Sequence, residues 1–377
     1  MNTTHTDPAV WNHNPKNVAF IGDYLPRQCG IATFTSDLYT SYDSYITDSN
    51  AIVVSVNDTK EGYDYPSEVR YDFYQHDHDA YKKAAEFLNS KDTDVVCLQH
   101  VLKSPNEEQM LVLKSIADLS SRVICMSEKG RDFLINIYEV PAEKIDLIPH
   151  GIPDMSFVDP HFYKDKFGME GKQTLLTFGL LSPNKGIENV IRALPRIVEK
   201  FPNVVYMVLG ATHPHLIRHE GEAYRDKLKQ LAEDNGVRNN VQFYNQFVEL
   251  EDLLEFLGAA DIYITPYLNP AQITSGTLAY SVGVGKAVIS TPYWHAEELL
   301  ADDRGRLVPF GDSSAIADEV INLLSDEPTR HAMRKRAYLM GRGMTWENVI
   351  NQYADSFAQA RKERMSATYT PGLYPGG

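Results

Sequence analysis

Short apolar runs that end in polar or Gly-rich turns recur along the whole chain, each followed by a stretch of helical periodicity. In the first half the runs are Val18 to Gly22 (VAFIG), Ala51 to Val56 (AIVVSV), the shorter Val69 to Phe73, Asp94 to Leu98 (DVVCL), Arg122 to Met126 and Ile145 to Ile148. Between them, helices are predicted from Gly30 onward and over Asp79 to Ser90, Glu107 to Leu119 and Glu128 to Tyr138. The second of these places Tyr81, Ala84, Ala85 and Leu88 on one face. Strands that alternate with helices are joined by crossovers, so the pattern predicts parallel sheets wrapped by helices.

Pro149-His150-Gly151-Ile152-Pro153 interrupts the series, and a second one follows. Its strands are Leu175 to Phe178, Val204 to Leu209, Val241 to Tyr244, Asp261 to Pro266 and Ala287 to Ser290. Its helices are Ile187 to Phe201, Glu222 to Asn235, Leu250 to Ala259 and Leu278 to Val284. A last helix, Trp346 to about Arg364, aligns Trp346, Val349, Ile350, Tyr353, Phe357 and Ala360 on one stripe. The expected organisation is a flexible tail over 1–16, an α/β domain over 17–150 and a second over 151–345. A terminal helix over 346–366 and a disordered tail over 367–377 complete it.

A chain of 377 residues is long enough for two domains with separate cores. Asp and Glu total 51 against 36 Lys and Arg, a net charge of −15 that argues against nucleic acid or anionic membrane as the main partner. Cys29, Cys97 and Cys125 are too few for a disulfide framework. The start, MNTTHTDPAVWNHNPKN, has no apolar signal region, and no run approaches membrane-spanning length. A cytoplasmic protein without an integral membrane segment is expected.

The chemistry concentrates in Pro270 to Asp312, which reads as polar loop, helix, strand, second loop and helix. Ser275, Gly276 and Thr277 stand where a helix begins after a strand. Free backbone N–H groups and the positive end of the helix dipole make such a place an anion site, and an N-cap without a ligand fits the same spacing. Pro26 to Ala32, with Gly30, also leads from a strand into a helix. In Gly179 to Gly186, Lys185 is a flexible cation that can pair a phosphate, or an exposed loop lysine. His76 and His78, and His213 and His215, have the alternate spacing of metal ligands, but neither pair has a third ligand nearby in sequence. GxSxG, HExxH, Walker A and zinc-spaced Cys sets do not occur.

The order of polar loop, helix, Gly285-Lys286, apolar strand, Thr291-Pro292, Glu297-Glu298 and Arg304-Gly-Arg-Leu-Val-Pro resembles the donor half of retaining, GT-B-type glycosyltransferases of family 4. PRQCGIATFTSDL resembles the same family's first loop and helix nearly residue by residue. The resemblance implies two Rossmann-like domains facing across a cleft, and metal-independent transfer of a hexose from a UDP- or GDP-linked sugar to a carbohydrate or other hydroxyl acceptor. Carried onto this chain, it puts Lys185 and Gln272 in catalytic roles, with His100 standing in for a sugar-facing histidine. Gly30, Gly179, Lys185, Gln246, Phe247, Ser275, Gly276, Thr277 and Tyr280 would bind the donor. No metal ligands are implied.

The chain departs from the family pattern in several places. The two usual glutamates are Gln272 and Tyr280, as in a branch of the family where such replacement is the rule, and Leu180 stands in place of an arginine. About one strand–helix unit, on the order of 30 residues, is expected to be missing after His100. Either His100 substitutes for what that unit carries, or the sequence lacks something the working protein has. These departures keep open a non-catalytic GT-B-like protein that binds a nucleotide sugar or a partner. A phosphorylase is the other rival, but it would want a cationic phosphate site beyond Lys185.

Overall fold

The computed structural model describes residues 15–99 and 107–368. The chain divides into two compact units, one built from the residues up to Pro149 together with those from Trp346 on, the other His150–Thr345. The first contains β1 (Asn17–Gly22), α1 (Gly30–Tyr45), β2 (Asn50–Asn57), β3 (Val69–Tyr74), α2 (His78–Ser90), β4 (Val95–Leu98), α3 (Glu107–Leu119), β5 (Val123–Cys125), α4 (Glu128–Asn136) and β6 (Ile145–Leu147). Its main sheet is parallel, in the order β3-β2-β1-β4.

Side chains alternate across this sheet, and the two cores follow that alternation. Val18 and Phe20 of β1 pack with Phe34, Leu38 and Tyr42 of α1. Ala19 between them turns the other way, joining Val54, Phe73 and the Ala80, Ala84, Leu88 stripe of α2. The buried stripe of α2 is therefore rotated from the Tyr81–Ala85 face expected from periodicity. Tyr81 is 47% exposed and only laps the edge of the Phe73 ring.

β4 is an edge strand, and β5 and β6 form a separate parallel pair. Val95 and Cys97 pack inward, while Val96 and Leu98 are 48% and 46% exposed. A small core of Leu113, Ala117, Cys125, Leu134, Tyr138 and Ile145 joins the β5–β6 pair to α3 and α4.

The second unit contains α5 (His161–Lys164), β7 (Gln173–Phe178), α6 (Ile187–Lys200), β8 (Val204–Leu209), α7 (Pro214–Glu220), α8 (Ala223–Asp234), β9 (Val241–Tyr244), α9 (Leu250–Ala259) and β10 (Ile262–Thr265). It continues through α10 (Gly276–Gly283), β11 (Ala287–Ser290), α11 (Trp294–Leu299), β12 (Arg306–Leu307), α12 (Ser313–Ser325) and α13 (Glu327–Gly341). The six-stranded sheet is parallel throughout, ordered β12-β11-β10-β7-β8-β9. Val204, Tyr206 and Val208 of β8 face a core with α6, α8 and α12. Val205, Met207 and Leu209 face the opposite core, with α9, α10 and α11.

The chain then leaves this unit, and α14 (Trp346–Thr368) packs Val349, Ile350, Tyr353 and Phe357 into the first unit's core against Phe20, Phe34 and Tyr42. Ser356 donates to Asp146 at 2.7 Å and Arg361 pairs with Asp94 at 3.2 Å, tying the helix to both sheets of that unit. Among the described residues, no helix is long and apolar enough to cross a membrane.

Candidate active site

Loops at the carboxyl ends of β7, β8 and β10 build the site. Gly179 leaves β7 at φ 121°, and Gly210 leaves β8 at φ 147°, where a Cβ would come within 2.0 Å of the Gly179 carbonyl oxygen. Only glycine allows these two strand ends to lie so close. Pro183–Lys185 then form a single 3-10 turn that ends at Gly186, in the left-handed region at φ 63°. A Cβ on Gly186 would sit 2.1 Å from the carbonyl oxygen of Pro266, and the Leu268 N–H donates to Asn184 O at 2.9 Å. The 179–186 loop is thereby fastened to the exit of β10, which fixes where Lys185 can reach.

Lys185 Nζ donates to the Tyr267 hydroxyl at 2.6 Å, and that hydroxyl lies 2.9 Å from Thr277 Oγ1. Gly179 completes the group: a Cβ there would stand 3.4 Å from Thr277 Cγ2 and 3.8 Å from Lys185 Nζ. A cation, a glycine edge and the start of α10 thus converge within one unit.

Ser275 caps α10, its Oγ accepting from Leu278 N at 3.3 Å. Its own N–H donates to His295 Nδ1 at 2.9 Å, which fixes that imidazole as an acceptor at Nδ1. Among the described residues, the N–H groups of Gly276 and Thr277 meet no acceptor. His150 lies against Gly276, with Nε2 2.8 Å from where a Cβ would be. Burial pushes the His150 imidazole down to about 4, and burial beside His150 pushes His295 down to about 3. Both rings are neutral at pH 7, so the positive character of this corner comes from Lys185 and the helix end.

The other predicted residues fall as follows. Gln272 lies in the loop before α10 and donates its amide to Thr274 O at 2.6 Å. Tyr280 is 5% exposed on the inward face of α10, edge-on to His150 with ring centres 5.8 Å apart. Gln246 and Phe247 are exposed in the loop after β9. Gly30 begins α1 in the first unit, and a Cβ there would meet nothing within 4 Å. His100 lies outside the described residues. His213 caps α7 through the His215 N–H at 3.2 Å. Lys286, of the Gly-Lys pair, is 2% exposed and donates to the carbonyls of Gly258 and Ala260.

Sequence reasoning missed Tyr267 and His295 and read His150 only as part of a domain boundary. Tyr267 lies just beyond the apolar run Asp261 to Pro266; its signal is a hydroxyl placed directly after the strand-ending Pro266.

Residues 161–340 match the family model described as Glycosyl transferases group 1. That match falls within the second unit. Phosphatidyl-myo-inositol mannosyltransferase of Mycolicibacterium smegmatis is 29% identical over 206 residues, covering 54% of this chain and 49% of that protein. Lipopolysaccharide glucosyltransferase WaaG of Escherichia coli is 25% identical over 246 residues, covering 63% of this chain and 58% of WaaG. The matched stretch therefore spans only half to three fifths of these relatives. The crystal structure of Anabaena HepE in complex with UDP superposes with a TM-score of 0.74 at 16% identity, covering 91% of this chain and 99% of that one. Likeness at that identity speaks for the fold, and the fold is GT-B. The group 1 match includes the loops at 179–186 and 266–277, so the converging residues lie inside the matched stretch.

Proposed function

We propose that the chain is a glycosyltransferase that moves a hexose from a UDP- or GDP-linked sugar to a hydroxyl of a carbohydrate or other acceptor, with retention at the anomeric carbon. One observation carries this reading: Lys185, Gly179 and the N-terminus of α10 meet at the carboxyl ends of β7 and β10. In open parallel sheets, ligands bind at that edge, and helix N-termini favour phosphate. In a chain of net charge −15, such a place is a local reversal of sign suited to a diphosphate.

The chemistry then rests on the leaving group. As the bond from the anomeric carbon to the diphosphate breaks, negative charge grows on the phosphate oxygens. The Lys185 ammonium and the Gly276 and Thr277 N–H groups meet that charge without reorganising, which is the role a metal ion would otherwise fill. Gln272 offers hydrogen bonds to sugar hydroxyls but no nucleophile or base. Gln246 and Phe247, exposed in the loop after β9, are the candidates for contact with the nucleobase. Relatives bearing UDP and UDP-glucose on the same fold support the donor class.

A thermal-shift screen of nucleotides and nucleotide sugars, followed by a transfer assay on each hit, tests the proposal, because ligand binding raises apparent stability by mass action. Lys185→Ala is expected to weaken UDP or GDP binding by about 1.5–3 kcal/mol, the worth of a charge-assisted contact. Gln272→Ala should cost nearer 1 kcal/mol with the nucleotide sugar and nothing with the bare diphosphate. Equal losses in calorimetric titration would place the diphosphate elsewhere. Binding without transfer would favour the non-catalytic reading, to which the Gln272 amide turned onto its own loop and the buried Tyr280 lend weight.

A further inference from the structure

Tyr267 joins the two loops that the proposed donor site depends on. It is 2% exposed, its ring stacks on Tyr293 with centres 5.3 Å apart and planes at 17°, and its carbonyl accepts from Thr291 Oγ1 at 2.6 Å. Ring and backbone are therefore both fixed. Only the hydroxyl emerges from this packing, and it meets Lys185 Nζ at 2.6 Å on one side and Thr277 Oγ1 at 2.9 Å on the other. The ammonium also lies 3.9 Å from the centre of the same ring.

We infer that Tyr267 is a positioning residue that holds Lys185 and Thr277 side by side for the β-phosphate of the donor. The inference rests on the donor site proposed above. A free lysine samples many rotamers, and ordering it costs part of any contact it makes. The phenol orders Lys185 before ligand arrives. A phenol can hold the ammonium without bringing a fixed opposite charge, whereas a carboxylate there would cancel it. An ammonium has three N–H donors, so one spent on Tyr267 leaves two for phosphate oxygens. With Lys185 donating to the phenol oxygen, the phenol proton is free for Thr277 Oγ1. Thr277 then has its own proton to donate, either to Ser275 Oγ at 3.2 Å or to a phosphate oxygen.

Tyr267→Phe removes one oxygen and keeps the stacked ring. Calorimetric titration with UDP and uridine, and with GDP and guanosine, reads the effect. The diphosphate that binds is expected to lose about 5- to 30-fold in affinity, and its nucleoside less than about twofold. In a Lys185→Ala background, Tyr267→Phe should add little, because the phenol acts through the lysine. Equal losses for diphosphate and nucleoside, or full additivity with Lys185→Ala, would overturn the assignment and leave Tyr267 as packing. A protein that binds none of the four probes would overturn the donor reading itself, and this inference with it. Urea midpoints of each variant check that the comparison is between folded proteins; should Tyr267→Phe be unstable, Thr277→Val, which removes the other hydroxyl of the bridge, must show the same split or the assignment fails.

Discussion

At the scale of single residues, the corner beside α10 is set by two neutral histidines. The His295 imidazole accepts from the Ser275 N–H, and His150 packs against Gly276, so a proton on either ring would add a buried charge. Their folded values, about 3 and about 4, lie below the ordinary histidine range. The unfolded chain therefore binds protons that the folded one refuses. The stability they support is fully present above about pH 6.5 and is lost as pH falls towards 4, by up to about 1.4 kcal/mol per pH unit for each ring. His295→Asn keeps an acceptor for Ser275 without a titration, and should flatten this slope. Urea midpoints between pH 7 and 4.5 check it, and parallel slopes would remove His295 from the account. Neither ring was legible as a site residue in the sequence, because each acts through a neighbour far along the chain. Lys185 and Ser275–Thr277 were legible because Gly-rich turns before helices carry their chemistry locally. Tyr267 was not, since its partners at 185 and 277 meet it only once β7 and β10 pair.

Among the elements, α14 contributes most to the first unit from furthest away in sequence. Phe357 lies 6.2 Å from Phe20 and 5.7 Å from Tyr42, ring centre to ring centre, and is 4% exposed. Phe357→Ala should destabilise that unit by about 3–5 kcal/mol, the usual cost of emptying an aromatic site in a core. Leu98→Lys, on the outward side of edge strand β4, should change stability by less than about 0.5 kcal/mol. Denaturant titration of the two variants tests the contrast, and a large loss at Leu98 would show that the edge is covered. The strands and most helices could be read directly, since apolar runs bounded by Gly and Pro leave few choices. Two features escaped. The buried stripe of α2 was misplaced because Tyr81 has an apolar body but laps a ring edge instead of entering the core. The helix α7 is absent from the predicted series because His213-Pro214 suits a turn as well as the helix start it forms.

For the molecule as a whole, the two units have separate cores, with Leu175 and Leu176 on opposite faces of one sheet and Val18 and Ala19 on opposite faces of the other. Heat should therefore unfold the chain in more than one step, and UDP or GDP should raise only the step that belongs to His150–Thr345. Differential scanning calorimetry with and without nucleotide would show this; a single transition whose calorimetric and van't Hoff enthalpies agree would contradict it. The return of α14 also gives the protein an order of completion during synthesis. The strands of the first unit leave the ribosome before the second unit, yet the helix that closes their core is made after every residue of it. At 5–20 residues per second the interval is roughly 10–40 s. For that time the Phe20, Phe34 and Tyr42 surface stands open on a nascent chain whose second unit can already fold, so of the two units the one begun earlier is finished later.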